Sequence, residues 1–324
     1  MKLTRITGIV AGLSLLVAGM QAQVSLPAVF TDHMVLQQKS EVPVWGWGSA
    51  SATIKVVGSW APQDTATTVV RSDGTWDTTL KTIGAGGPYT LSVLGDGTRE
   101  LKDVMLGEVW LCSGPSNMEW TPMHGIDNSE EEVAAANYPN IRFFHIPKRG
   151  AATPQNNCEA SWAPCTPDRM KSTSAIAYFF GRDLQKDLNV PVGLIVSAWG
   201  GTPAEVWVPE EQVMNNPRIR DVMPDKTYPW WPVEPGVLYN QMISPVVPYA
   251  LAGAIWYQGE SDAEIIDNAQ NSMLLKTMIS SWRKAFRNPE MPFVMIQLPR
   301  INDPSKIRAG WPEFREMQDA VAKT

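Results

Sequence analysis

Histidine and cysteine are scarce. The 324 residues hold three of each, with neither a C-x-x-C pair nor an H-E-x-x-H run. Zinc centres draw on those side chains at such spacings, so no metal site is expected. Basic clusters are lacking too. Lys and Arg number 27 against 33 Asp and Glu, giving a net charge of −6. No cationic stripe is available to neutralise phosphates, which speaks against a nucleic-acid partner. Nor is there an apolar run of the roughly 20 residues that a spanning helix needs. The apolar stretch Ile6–Ala18 follows Lys2 and Arg5 and leads into Gly19-Met20-Gln21-Ala22-Gln23. That order of positive, apolar and small residues is expected to be a signal peptide, residues 1–22, cut at or near Ala22. No Cys follows it to carry a lipid. The mature protein is therefore expected to be periplasmic or secreted, with no membrane span. In such a compartment Cys158 and Cys165, which bracket a Trp-containing loop, could pair and leave Cys112 odd. Three free thiols are the equal alternative.

What the chain does have is apolar mass. A hydrophobic fraction of 44% over this length supports one large domain or two medium ones. Fourteen Trp against eight Phe is a skewed ratio. Trp joins a flat apolar face to one N–H donor, which suits sugar rings and ordinary packing alike.

From residue 23 to 103 the pattern is β throughout. Alternating runs at Val42–Trp47, Thr53–Val57, Thr67–Arg71, Thr75–Leu80 and Tyr89–Val93 are separated by turn signals such as Ser72-Asp73-Gly74 and Gly95-Asp96-Gly97. A small antiparallel β-sandwich domain is expected there. The character changes after Asp103. Val104–Cys112 is a near-continuous apolar run, as in a strand buried on both faces. A helical stretch at Ala175–Leu188, strands at Val192–Ala198 and Leu251–Tyr257, a helix over about Ala269–Phe286, a strand at Phe293–Leu298 and a helix at about Pro312–Ala322 follow. Strands alternating with helices predict an α/β domain over 104–324 with a mainly parallel sheet. Ligands in such sheets sit beyond the carboxyl ends of the strands.

Three segments fall at those ends. Gly114-Pro115-Ser116-Asn117-Met118 follows the first strand. A Ser on a tight strand-to-helix turn presents its hydroxyl at the rim and its N–H to a developing oxyanion. Ser is also common in plain turns, and the G-x-S-x-G elbow is not matched, because Met118 stands at its second Gly. Gly200-Gly201-Thr202 follows Val192–Ala198; a Gly pair lets backbone N–H groups approach a substrate oxygen, or simply makes a turn. Trp256-Tyr257-Gln258-Gly259-Glu260-Ser261-Asp262 closes the third strand. Gln258 can serve as an oxyanion donor and Glu260 as an anchor, or the segment is a polar loop that caps the next helix. Each segment is ambiguous alone; three at successive strand ends are harder to dismiss.

Gly107-Glu108-Val109-Trp110-Leu111-Cys112-Ser113-Gly114 with Ser116-Asn117-Met118-Glu119 resembles the first block of the sialate O-acetylesterase family, a group of SGNH-type hydrolases. Gly200 to Pro203 with Glu205 and Trp207 resembles its second block, and Trp256 to Glu260 its third. The likeness extends to Asp32–Gln37, Val44–Trp47 and Leu238–Asn240. It implies a three-layer SGNH-hydrolase-like domain after the β-sandwich, and Ser116 as nucleophile. The oxyanion hole would comprise Ser116, Gly200, Gly201 and Gln258, with Asn117 and Glu260 in support. The implied reaction is acyl transfer from an O-acetylated sugar, typically sialic acid, or xylan in related esterases, with no cofactor.

The sequence departs from the family pattern twice. Pro115 stands where the family has Gln, which fixes φ and removes a donor beside the nucleophile. The family's general base is a His in an Asp-x-x-His segment, and no such segment occurs in this sequence. The catalytic domain is accordingly expected to be incomplete at its C-terminal end. His33 and His145 read as packed or hydrogen-bonded residues; His124, eight positions past Ser116, is the one that could approach it. Two expectations stay open. The chain belongs to a working esterase, or it is an impaired member that binds carbohydrate without turning it over. A purely structural β-sandwich adhesin is disfavoured by the α/β half. The loop Tyr228-Pro229-Trp230-Trp231-Pro232 suits a sugar platform or packing between the domains.

Overall fold

The computed structural model describes residues 23–223, 228–263, 267–302, 304–305 and 307–324. The expected signal peptide, residues 1–22, lies outside them. The N-terminal part builds β1 (Val35–Gln37), β2 (Glu41–Trp47), β3 (Thr53–Gly58), β4 (Ala66–Val69), β5 (Thr75–Lys81) and β6 (Gly86–Leu94). β2 and β5 form an antiparallel pair, Glu41 opposite Lys81, while β4, β3 and β6 lie antiparallel in a second sheet. β2 alternates buried Val42 and Val44 with partly exposed neighbours, the signature of a strand with one wet face.

β7 (Thr98–Gly114) links the two halves. Its first part pairs antiparallel with β6 and parallel with β1; its last part enters the central sheet. The expected boundary residue, Asp103, sits within this one strand. It has φ of 54° and joins His33 at 2.7 Å and Arg142 at 2.9 Å.

The central sheet continues with β8 (Tyr138–His145), β9 (Trp162–Cys165), β10 (Val192–Ala198), β11 (Gly253–Tyr257) and β12 (Phe293–Ile296), in spatial order β9-β8-β10-β7-β11-β12. All of these pairings are parallel except β8 with β9. The chain is therefore an α/β protein with a mainly parallel central sheet. Every residue of β10 is buried, which explains its unbroken Val-Gly-Leu-Ile-Val-Ser-Ala run. β9 escaped the sequence reading because Pro164 interrupts it; as an edge strand it can lack that donor.

The helices are α1 (Ser116–Glu119), α2 (Ser129–Ala135), α3 (Pro167–Met170), α4 (Ala175–Leu188), α5 (Glu210–Met214), α6 (Pro217–Arg220), α7 (Asn268–Ala285) and α8 (Trp311–Ala322). Ser174 caps α4 by accepting from the Ala177 N–H at 3.1 Å, and Asp267 caps α7 by accepting from that of Ala269 at 2.7 Å. α4 packs on the sheet near β8 and β10, and α8 against α7 and β12. Among the described residues no helix is long and apolar enough to cross a membrane. Cys112, Cys158 and Cys165 are all free thiols.

Candidate active site

β7, β10 and β11 stand side by side, and their registers bring their carboxyl ends level: Ala198 faces Gly114, and Trp256 faces Ser113. The three segments singled out from the sequence therefore meet at one rim. Gly114 turns the chain with φ of 144°. A β-carbon there would lie 2.3 Å from the carbonyl oxygen of Tyr257, so only glycine fits. Pro115 is buried and opens α1, where no helical N–H is needed, and its carbonyl accepts from the Glu119 N–H at 3.0 Å. Ser116 is exposed at the first position of the helix.

Polar contacts tie the segments together. Asn117 Nδ2 donates to Glu260 Oε1 at 2.6 Å, and Gly200 N–H donates to Glu119 Oε2 at 2.6 Å. Ser261 Oγ donates to the Gly201 carbonyl at 3.2 Å, and Trp199 N–H to that of Gly114 at 3.2 Å. Lys148 Nζ pairs with the other oxygen of Glu119. The Asn117–Glu260 bond thus joins the first strand-end segment to the third. Glu119 is the residue to which sequence reasoning gave no role. It follows Ser116 by three positions, a spacing that returns a side chain to the same helix face.

The expected oxyanion donors differ in what their donor groups already bind. Gly200 lies against the nucleophile, since a β-carbon on it would be 3.3 Å from Ser116 Cβ, but its N–H is taken by Glu119. The N–H groups of Ser116 and Gly201 make no hydrogen bond among the described residues. Gln258 is fully buried. Its amide lies against the Asp262 carboxyl without reaching good hydrogen-bond geometry, and its carbonyl accepts from Gln318 Nε2 at 2.9 Å. The Gln318 bond is thus to the Gln258 backbone, and the Gln258 side-chain amide is buried with both of its polar atoms unpaired among the described residues.

None of the three histidines reaches Ser116. His33 is tied to Asp103, and His124 Nδ1 lies 3.0 Å from Thr121 Oγ1. His145 lines a separate cavity of about 240 Å³ behind Glu119 and Lys148, where burial pushes its imidazole down to about 4. Among the described residues no side chain hydrogen-bonds the Ser116 hydroxyl.

Beneath the rim lies a buried carboxyl pair. Glu205 and Asp262 are each 1% exposed. Burial, then repulsion from Asp262, pushes Glu205 up to about 8; burial, with repulsion from Glu260, pushes Asp262 up to about 7. Above their ordinary range the folded chain holds protons that the unfolded chain has released. Stability is therefore expected to fall as pH rises from about 4 to about 8 and to level off beyond. Glu205→Gln should flatten that slope in thermal melts. An unchanged slope would contradict the assignment.

Trp residues explain how the turn is held. Thr202 Oγ1 donates to the Trp199 carbonyl at 2.7 Å and accepts from Trp207 Nε1 at 3.0 Å. Trp282 Nε1 of α7 donates to the Trp207 carbonyl at 3.0 Å, and Trp256 packs edge-on between the two rings. The Trp207 indole thus ties the turn at Thr202 to the core, and Trp282 holds the Trp207 backbone in turn. Outside, Trp199, Trp230 and Trp231 border an open cleft of about 350 Å³.

Comparison with known proteins bears on this arrangement. The family model described as "Carbohydrate esterase, sialic acid-specific acetylesterase" matches residues 106–323. The chain is 30% identical to the sialate O-acetylesterase of Homo sapiens over 317 residues, covering 89% of this chain and 60% of that protein. The Pongo abelii sialate O-acetylesterase gives the same identity and coverage. The crystal structure of a carbohydrate acetylesterase from Xanthomonas citri superposes with a TM-score of 0.80 at 33% identity, over 93% of this chain and 66% of that one. The chain thus spans about 60% of the length of these curated relatives. On the matched span and the conjunction of its three strand-end segments, the chain belongs to the sialic acid-specific acetylesterase family of carbohydrate esterases.

Proposed function

We propose that this protein is a carbohydrate O-acetylesterase in which Ser116 is the nucleophile and an O-acetyl ester of sialic acid or a related sugar is the substrate. The observation that carries the reading is the convergence of the three strand ends on an exposed Ser116, with the N–H groups of Ser116 and Gly201 left without acceptors beside it. Ser116 Oγ adds to the acetyl carbonyl, and its proton passes to a general base. The carbonyl oxygen gains the negative charge, and the N–H groups of Ser116 and Gly201 stabilise it. Collapse breaks the bond to the sugar oxygen, which leaves as a hydroxyl on taking the proton from the base, and acetyl-Ser116 remains. Water then adds to that ester and releases acetate. Glu119 holds the Gly200 turn in place from the nucleophile helix, and Lys148 balances its charge. We also propose that residues 23–103 form a small β-sandwich unit and that residues 1–22 direct export to the periplasm or the exterior.

A second reading, binding without turnover, is favoured by one feature: no described side chain accepts the Ser116 proton. Acetate release from O-acetylated sialic acid and from acetylated xylo-oligosaccharide separates the two. The esterase reading expects release above the buffer blank. Folded protein that binds either sugar yet releases no acetate under any condition leaves the binding reading.

A further inference from the structure

The aromatic loop at 228–232 is anchored at one end and free at the other. Trp231 packs directly on the turn, because a β-carbon on Gly201 would lie 2.6 Å from its ring. Trp230 meets Trp231 edge-on at 5.5 Å and is 63% exposed. Packing between the two halves of the chain would have covered that indole. Trp199, the residue before Gly200, lines the same cleft. The cleft therefore begins at the residue adjoining Gly200, and a β-carbon on Gly200 would lie 3.3 Å from Ser116 Cβ. A sugar ring with its acetyl group at Ser116 would extend into it.

Its lining combines aromatic faces with one carboxylate among the described residues. Among the described residues lining it, Glu234 is the one ionisable acid or base apart from the Tyr228 phenol, and it is exposed at the rim. Aromatic faces receive the C–H face of a pyranose, and a carboxylate accepts from hydroxyls. The same carboxylate repels another anion, and the chain as a whole carries −6. We infer that the Trp199–Trp230–Trp231 cleft holds the ring that bears the acetyl group, and that it takes a neutral pyranose in preference to an anionic sialyl ring. The inference rests on the reading of Ser116 as nucleophile only for the position of the acetyl group.

Tryptophan fluorescence titration of the Ser116→Ala chain tests it without turnover. The probes are a methyl O-acetyl xyloside and O-acetylated N-acetylneuraminic acid. The xyloside is expected to bind more tightly. Trp230→Ala, at an exposed and therefore foldable position, should weaken it on the order of tenfold. Glu234→Gln should narrow the gap between the two sugars at low salt. Equal or tighter sialyl binding, or xyloside binding indifferent to Trp230→Ala, overturns the inference. Failure of the nucleophile assignment shows separately, as p-nitrophenyl acetate hydrolysis that Ser116→Ala leaves intact.

Discussion

Added imidazole is expected to accelerate acetate release by the wild-type chain about tenfold or more, against a general-base contribution of roughly 10²–10⁴ in complete sites. Ser116→Ala is expected to lose all of that acceleration. The reasoning starts from the hydroxyl. Ser116 is exposed at the rim, its neighbours are fixed by Asn117–Glu260 and Glu119–Gly200, and no described side chain accepts its proton. A neutral serine hydroxyl is a weak nucleophile without a base. An exposed hydroxyl is open to an external one, and imidazole is the base that the family pattern places there. Free imidazole also hydrolyses esters, so the Ser116→Ala chain in the same buffer supplies the subtraction. Equal rates in wild type and Ser116→Ala, with and without imidazole, would sink the nucleophile. A chain that draws a base from elsewhere gives the opposite signature: no response to imidazole, and a loss on the order of 10⁴ or more in Ser116→Ala.

Gly114→Ala is expected to cost about 3–5 kcal/mol of stability, the sum of backbone strain at a disfavoured φ and overpacking. The added carbon meets the carbonyl oxygen of Tyr257 at 2.3 Å, with the carbonyl carbon at 3.1 Å and the amide nitrogen at 3.2 Å. These are backbone atoms of Tyr257 at the end of β11, which is hydrogen-bonded between β7 and β12, and they cannot give way as a flexible side chain would. Relief must come from moving the turn itself, which re-aims Ser116. A displacement of about 1 Å at the nucleophile costs on the order of a hundredfold in rate. Urea unfolding reads the first effect and acetate release the second. A loss below about 1 kcal/mol would mean that the strand ends are less rigid than their registers imply.

Much of the fold was legible because local pattern and final environment agree. α4 and β10 occupy the spans that their periodicity marked, Ala175–Leu188 and Val192–Ala198. α7 and α8 differ from expectation by a residue at their ends. β9 was hidden by Pro164, whose missing donor matters only if the strand has neighbours on both sides. The length of β7 was also hidden. Its first six residues are polar except Leu101 and its last are near-continuously apolar, so one strand read as two regimes. The site was legible as three candidate segments and no further. The sequence placed Ser116, the Gly pair and Gln258 on loops, and nothing in it told which N–H groups would remain free.

The alternation of strands and helices, the position of Ser116 on a strand-to-helix turn and the family blocks are all written locally, because each depends on residues adjacent along the chain. Folding in three dimensions settled that Glu119 takes the Gly200 N–H, that Gln258, Glu205 and Asp262 are buried, and that Trp231 packs on Gly201 while Trp230 stays exposed. Those facts follow from the register that levels β7, β10 and β11. Register joins residues tens of positions apart, and no local pattern encodes such a meeting.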